Sequence, residues 1–308
     1  MGKKDLFRTV RRCFIIALIV ITVCSLLVLK TTDVSATEYG GCAYPNGVED
    51  FMAGAVPPPG TYFLNYISYY SAGDFKDSNG NSLFPNFDLS VTANTFRFVH
   101  VTKKKVFGGF WGMHALLPIL HVDIENPIGS DSKTGIGDLI VNPFLLSWHF
   151  KNWHLATGFD FFIPIGNYDK DDLANTSRNY WTFEPAFGVT YLSNSGFDVS
   201  VKFMYDFNTE NPDTDYKSGQ EFHFDYTIGK HFKNIAVGIG GYYYKQVTND
   251  ELNGEKIGDG LKGQVFAIGP QLKYNYKNMS FTLKYHEELE VENRAEGGNF
   301  WFRFIYAF

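Results

Sequence analysis

From Thr61 onward, short and long connections alternate strictly between aromatic-rich segments, and this parity constrains the fold more than any other feature of the chain. The segments fall near 61–70, 86–101, 109–125, 137–150, 153–165, 179–193, 196–208, 219–232, 234–247, 262–276, 279–292 and 298–308. Turn chemistry separates them, as expected of strands. The short connections read "FKNW" at 150–153, "FKNI" at 232–235 and "YKNM" at 276–279, with "SNSG" at 193–196 as a variant and "TKKKVFG" as the longest. Two-residue turns centred on Asn or Gly suit tight antiparallel hairpins. The long connections are polar and largely acidic, as in "GNYDKDDLANTSR", "NTENPDTDYKSG" and "TNDELNGEKIGDG". Short turns follow every even segment and long loops every odd one.

A barrel that spans an outer membrane has short turns at one end, longer loops at the other, an even number of strands and both termini on the short-turn side. A β-sandwich has no reason to sort its loops this way. The sequence therefore predicts an all-β chain: a single transmembrane antiparallel up-and-down β-barrel of about 12 strands. The alternation within segments agrees. Phe222, Phe224, Tyr226 and Ile228 share one face, and Glu221, His223, Asp225 and Thr227 the other. Near the terminus Met279, Phe281, Leu283 and Tyr285 oppose Ser280, Thr282, Lys284 and His286. Oily faces on so many strands, with no segment reading as a covering helix, are buried most simply in lipid, and closure removes exposed edges.

The last nine residues place Phe300, Phe302, Phe304, Tyr306 and Phe308 on one face, with Trp301 and Arg303 on the other. A terminal Phe preceded by alternating rings resembles the signal that delivers barrels to their insertion machinery, so Phe304, Tyr306 and Phe308 are its expected carriers. The expected partners are outer-membrane lipid and lipopolysaccharide together with that barrel assembly machinery. Segments two to four are apolar at mixed parity, as in "WGMHALLPILHV", and leave their outward face undetermined. Pro118, Pro143, Pro164, Pro185 and Pro270 each remove a ladder donor and are expected at bulges or kinks. These mark either an opening in the wall or irregularity near strand ends.

The apolar run "CFIIALIVITVCSLLVL" follows five basic residues and precedes "VSA", which predicts a secretory signal peptide over 1–36, cleaved after Ala36. An uncleaved inner-membrane anchor is the competing reading. Residues 37–60, rich in Gly and Pro without periodicity, are expected to form an irregular periplasmic segment, and 61–308 the barrel. Losing six basic and two acidic residues takes the net charge from −6 to −10, which argues against a nucleic-acid partner. Cys42 is the only cysteine beyond the cut, so the mature chain has no internal disulfide and no cysteine-rich metal site.

Counting from the short turns, Asp160, Glu184, Lys202, Asp225, Lys284 and Arg303 face the lumen near mid-wall, with Glu221, His223 and His286 on the same inward faces. Two readings stand side by side: a polar constriction that selects solutes, and a mutually neutralising network that fills the barrel. Phe162, Tyr242, Tyr244 and Trp301 also point inward, either as a path for apolar solutes or as packing. Ser, His and acidic residues of the lumen could serve hydrolase chemistry, with His223 and Asp225 as one candidate pair, but no nucleophile motif accompanies it. No catalytic residue, metal site or cofactor is read from the sequence. The acidic loops suit either Ca²⁺ or plain solvation.

Several stretches taken together, "GDLIVNPFLLSW" (137–148), "NYWTFEPAFGVTYLS" (179–193), "VGIGGYYYKQVTNDELNG" (237–254), "AIGPQLKY" (267–274) and "ENRAEGGNFWFRF" (292–304), resemble the phenol meta-cleavage-pathway family, in family order. The resemblance covers nearly all of residues 50–308. It implies an outer-membrane barrel transporter of a Gram-negative bacterium that passes small hydrophobic or aromatic solutes, and it carries over no catalytic residues.

Overall fold

The computed structural model describes residues 38–257 and 262–308, so the predicted signal peptide lies outside the described residues. Twelve long strands run antiparallel in chain order. They are β1 (Gly60–Phe75), β2 (Asp88–Val106), β3 (Gly109–Asn126), β4 (Leu139–His149), β5 (Trp153–Ile163) and β6 (Thr182–Leu192) in the first half. The second half adds β7 (Phe197–Asn208), β8 (Glu221–Phe232), β9 (Ile235–Gln246), β10 (Gln264–Tyr276), β11 (Met279–Glu292) and β12 (Ala295–Ala307). Each pairs with its neighbours in sequence, and β1 pairs with β12 from Tyr62↔Ala307 to Phe75↔Ala295, which closes the barrel. Among the described residues no helix is long and apolar enough to cross a membrane.

Short turns gather at one end with both termini of the barrel, the arrangement that puts this end on the periplasmic side. In the turns after β8 and β10 the left-handed residue is Lys233 (φ 52) or Lys277 (φ 54) rather than the neighbouring Asn. At the opposite end a hairpin strand, Gly129–Ile136, extends β3 beyond the wall, and four two-residue strands from the loops after β7 and β9 form a small second sheet.

The outer surface is aromatic along the last strand, where Phe300 is 45% and Phe308 75% exposed, while Trp301 and Arg303 are buried inside. Outward rings also pack across strands, as Phe281 does with Phe304 at 5.4 Å between centroids. The strands left undetermined by parity resolve here: Arg97, Val99 and Val101 of β2 and His114 and Leu116 of β3 point inward, whereas Phe98 and Phe144 point out.

The prolines sit at breaks in the ladders. Pro143 lies in a bulge that interrupts pairing on both sides of β4, and its carbonyl accepts the Trp111 indole N–H at 2.9 Å. Pairing of β6 with β7 skips Glu184 and Pro185, and that of β10 with β11 skips Gly269 and Pro270. Pro164 follows the end of β5. Pro118 stands where β3 leaves β4 to pair with the hairpin strand, and its carbonyl accepts Gly137 N–H at 2.9 Å.

Candidate functional site

The segment before β1, expected to lie in the periplasm, instead descends through the lumen. It has no ladder of its own beyond a 3-10 turn at Glu38–Gly40, so wall side chains satisfy its backbone. At the extracellular end the Glu38 carboxylate accepts from Asn211 (2.8 Å) and Thr214 (3.1 Å), and Glu38 N–H donates to Ser218 Oγ at 3.2 Å. Lower down, Met52 N–H donates to Asp198 Oδ2 and Ser200 Oγ, both at 3.1 Å, and Gly54 N–H donates to Thr190 Oγ1 at 2.9 Å. Asp198 and Thr190 stand near the short turn joining β6 and β7, so the segment crosses most of the barrel before β1 begins.

Two wall residues hold its middle. Asp225 on β8 accepts from Gly47 N–H (2.8 Å), Glu49 N–H (3.0 Å) and the Tyr44 hydroxyl (3.1 Å). Lys284 on β11 directs its ammonium at the carbonyls of Gly47 (2.5 Å), Val48 (2.7 Å) and Glu49 (2.7 Å), which uses all three of its protons. Gly47 fits this clasp for two reasons. Its φ is +81, and a Cβ there would stand 2.7 Å from the Tyr242 ring. Burial, helped by the adjacent Asp225 carboxylate, raises the Tyr44 hydroxyl well above its ordinary value and keeps it a donor.

Charges on the segment meet opposite charges on the wall. Arg303 Nη2 donates to Asp50 Oδ1 at 2.6 Å, and Glu49 Oε1 lies 3.6 Å from Arg97 and 3.7 Å from Lys202. Burial alone would raise the Glu49 carboxyl, but Lys202, Arg97, Arg303 and Lys284 outweigh it and hold it at about 2. Cys42 is half-buried, donates to Tyr44 O at 2.9 Å and accepts from the Asn46 amide at 2.9 Å. Desolvation, opposed by Arg294 and Arg178, pushes its thiol up to about 12.

Below the clasp, between the segment and the wall strands β1 to β7 and β10 to β12, lies a cavity of about 450 Å³. Tyr62, Leu64, Val99, Leu145, Ala156 and Ala186 give it apolar walls, and Lys277 and Asn278 of a periplasmic turn border it. Its polar side holds Glu49, Lys202, Lys273 and Arg303 together with a chain of hydrogen-bonded side chains. Arg97 donates to Tyr66 OH (3.2 Å) and to His114 Nδ1 (2.9 Å), which leaves His114 Nε2 as the donor to Asp160 Oδ1 at 2.7 Å. A few hundred Å³ of mostly apolar space with convergent polar groups is the form of a small-molecule site.

Every lumen-facing residue read from the sequence is inward. Asp160, Glu184, Glu221, His223, Asp225, Lys284, His286, Trp301 and Arg303 are buried, and the Lys202 side chain is 13% exposed. They do not ring an open constriction. Asp225, Lys202, Lys284 and Arg303 contact the N-terminal segment, while Asp160 pairs with His114. His223 and Asp225 are not brought together: both oxygens of Asp225 are engaged by the segment, and His223 turns toward Asp206 and Glu184. Phe162, Tyr242 and Tyr244 are buried inside as well. In the acidic loop "DKDD", Asp172 pairs with Lys133 at 2.6 Å. The sequence reading missed Glu49, Asp50, Arg97, His114 and Asp206. Arg97 was within reach, since it stands between Phe96 and Phe98 on a strand whose rings face out.

Residues 72–304 match the profile of the family described as "Putative MetA-pathway of phenol degradation". No curated protein matches the chain significantly in sequence. In fold, the chain is similar to the crystal structure of an outer membrane channel from Pseudomonas putida F1, with a TM-score of 0.75 at 16% identity over 83% of this chain and 98% of that one. The β domain of a Bordetella autotransporter gives a TM-score of 0.49 at 11% identity over 82% of this chain and all 100% of that one. The transport unit of the autotransporter AIDA-I from Escherichia coli gives 0.49 at 9% identity over 80% and 90% of the two chains.

Proposed function

The chain belongs to the phenol-degradation family so described, and from that premise we propose that it is an outer-membrane channel of transporter type that passes small hydrophobic or aromatic molecules. The observation that carries the proposal is the cavity beneath the N-terminal segment, with its aliphatic and aromatic walls and its border on a periplasmic turn. A solute entering it exchanges water for apolar surface and gains the transfer free energy of its buried area. The Arg97–His114–Asp160 chain offers hydrogen bonds to a phenolic or carbonyl oxygen without exposing an unpaired charge.

The proposal includes residence in the outer membrane of a Gram-negative bacterium, export through the predicted signal peptide, contact with lipid and lipopolysaccharide, and delivery to the barrel assembly machinery through Phe304, Tyr306 and Phe308. The outward aromatic face of β12 supports this reading. A second reading, a filled barrel without transport, is favoured by the clasp of Lys284 on three backbone carbonyls. Uptake of labelled toluene into proteoliposomes separates the two. The proposal expects entry faster than into protein-free liposomes, and equal rates would leave the filled barrel standing.

A further inference from the structure

We propose that Glu184, Asp206 and His223 form a binding site for a divalent first-row transition-metal ion inside the barrel. They project inward from three consecutive strands, β6, β7 and β8, and each is 0% exposed. His223 Nε2 lies 3.3 Å from Asp206 Oδ2 and 3.8 Å from Glu184 Oε2. One ligand atom from each lies within 4.8 Å of the other two. Yet neither ring nitrogen of His223 makes a hydrogen bond, and the oxygens of Glu184 and Asp206 have no hydrogen-bond partner other than neighbouring carboxyl groups. Buried polar groups almost always have partners, so an unpaired imidazole beside carboxyl groups that face only one another calls for an explanation.

A cation supplies it. An ion takes one lone pair from each side chain and replaces the hydration these groups lost on burial. Tetrahedral bonds of about 2.1 Å set ligand atoms about 3.4 Å apart, close to the 3.3 Å and 3.8 Å from His223 to the two carboxylates. One imidazole nitrogen with two carboxylates suits zinc and its neighbours better than calcium, which prefers oxygen alone. Glu221 stands directly opposite Asp206 in the β7–β8 register, and its Oε2 is also without a partner, so it offers a fourth donor. Among the described residues no ammonium or guanidinium donates a hydrogen bond to the three ligands. Lys202 is 3.9 Å from Glu184 and is shared with Glu49 at 3.7 Å.

Placement explains why no spacing motif announces the site: its ligands lie on separate strands and meet only when the barrel closes. The sequence reading accordingly found no metal site. The Tyr44 ring lies against His223, 4.8 Å between centroids, and the three ligands are closed off from solvent. The ion therefore enters while the barrel folds around its N-terminal segment.

The test uses the mature, tag-free chain refolded in detergent with ZnCl₂, or with CoCl₂ as a spectroscopic stand-in, and then freed of unbound metal by gel filtration. Elemental analysis should find about one zinc per barrel, and the cobalt form should show the visible bands of low-coordinate Co²⁺. His223→Ala and Asp206→Asn should cut retained metal at least tenfold while still migrating as heat-modifiable barrels. A control in the acidic loop, Asp169→Asn with Asp171→Asn, should keep it. Absence of stoichiometric metal from the folded wild type overturns the proposal whatever the variants do. Unchanged retention in His223→Ala overturns it too.

Discussion

Arg303, on the strand that closes the barrel, donates to Asp50 Oδ1 at 2.6 Å, so the wall's last strand also holds the segment that runs through the lumen. Both side chains are nearly excluded from solvent. Removing one partner strands the other's charge, at a cost of about 3–5 kcal/mol, whereas an apolar pair of similar size is far better tolerated. Urea unfolding should therefore show Asp50→Leu and Arg303→Met each strongly destabilised, with the double variant less destabilised than the sum. Additive losses would mean that the pair is not coupled.

Lys284→Met removes three charge-assisted donors from the clasp while keeping an unbranched apolar stem. The N-terminal segment should then leave the lumen more often. Ion conductance in planar bilayers should exceed that of the wild type, and unchanged conductance would show that other contacts hold the segment alone.

Cys42 reports where that segment is. The thiolate is the reactive form, and a thiol pushed up to about 12 has little thiolate near neutrality. Maleimide labelling at about pH 8 should be on the order of a thousandfold slower in the folded barrel than in the urea-unfolded chain. Lys284→Met should speed it. Labelling of the folded wild type at the unfolded rate would contradict the buried placement.

Glu49 gives a pH signature. Its folded carboxyl sits at about 2 against an ordinary 4.5, so it binds protons less readily folded than unfolded. Its contribution is complete above 4.5 and is lost as pH falls toward 2. The stability difference between wild type and Glu49→Gln should be flat near neutrality and shrink below pH 4.5. A difference that grows on acidification would reverse the sign and refute the assignment.

Phe308 is 75% exposed on the outer face at the periplasmic end, where a receptor could read it. Phe308→Asp should impair assembly into the membrane while leaving export intact, seen as loss of the heat-modifiable form. Normal insertion of that variant would remove Phe308 from the signal.

The strand plan was legible because short turns alternate with long loops and because strands such as β7, β8 and β11 contrast an oily outer face with a polar inner one. Strands β2 to β4 were not, and the structure gives the reason. Their inner face is itself apolar, with Val99, Val101, Leu116 and Leu145 buried in the lumen, so alternation carries no contrast. The blurred parity was the mark of the cavity wall. The N-terminal segment was illegible for a different reason: its backbone partners are Asp225, Lys284, Asp198 and Thr190, all distant in sequence, and no periodicity encodes them.

The most direct test of the account fills the cavity. Ala186 lines it and points inward from β6, so Ala186→Trp should occupy much of the apolar space without touching the clasp. Labelled toluene uptake should run above the protein-free rate with wild-type proteoliposomes and fall back to that rate with Ala186→Trp at equal insertion. Uptake that is the same for both proteins, whether fast or at the protein-free rate, would contradict passage through this cavity.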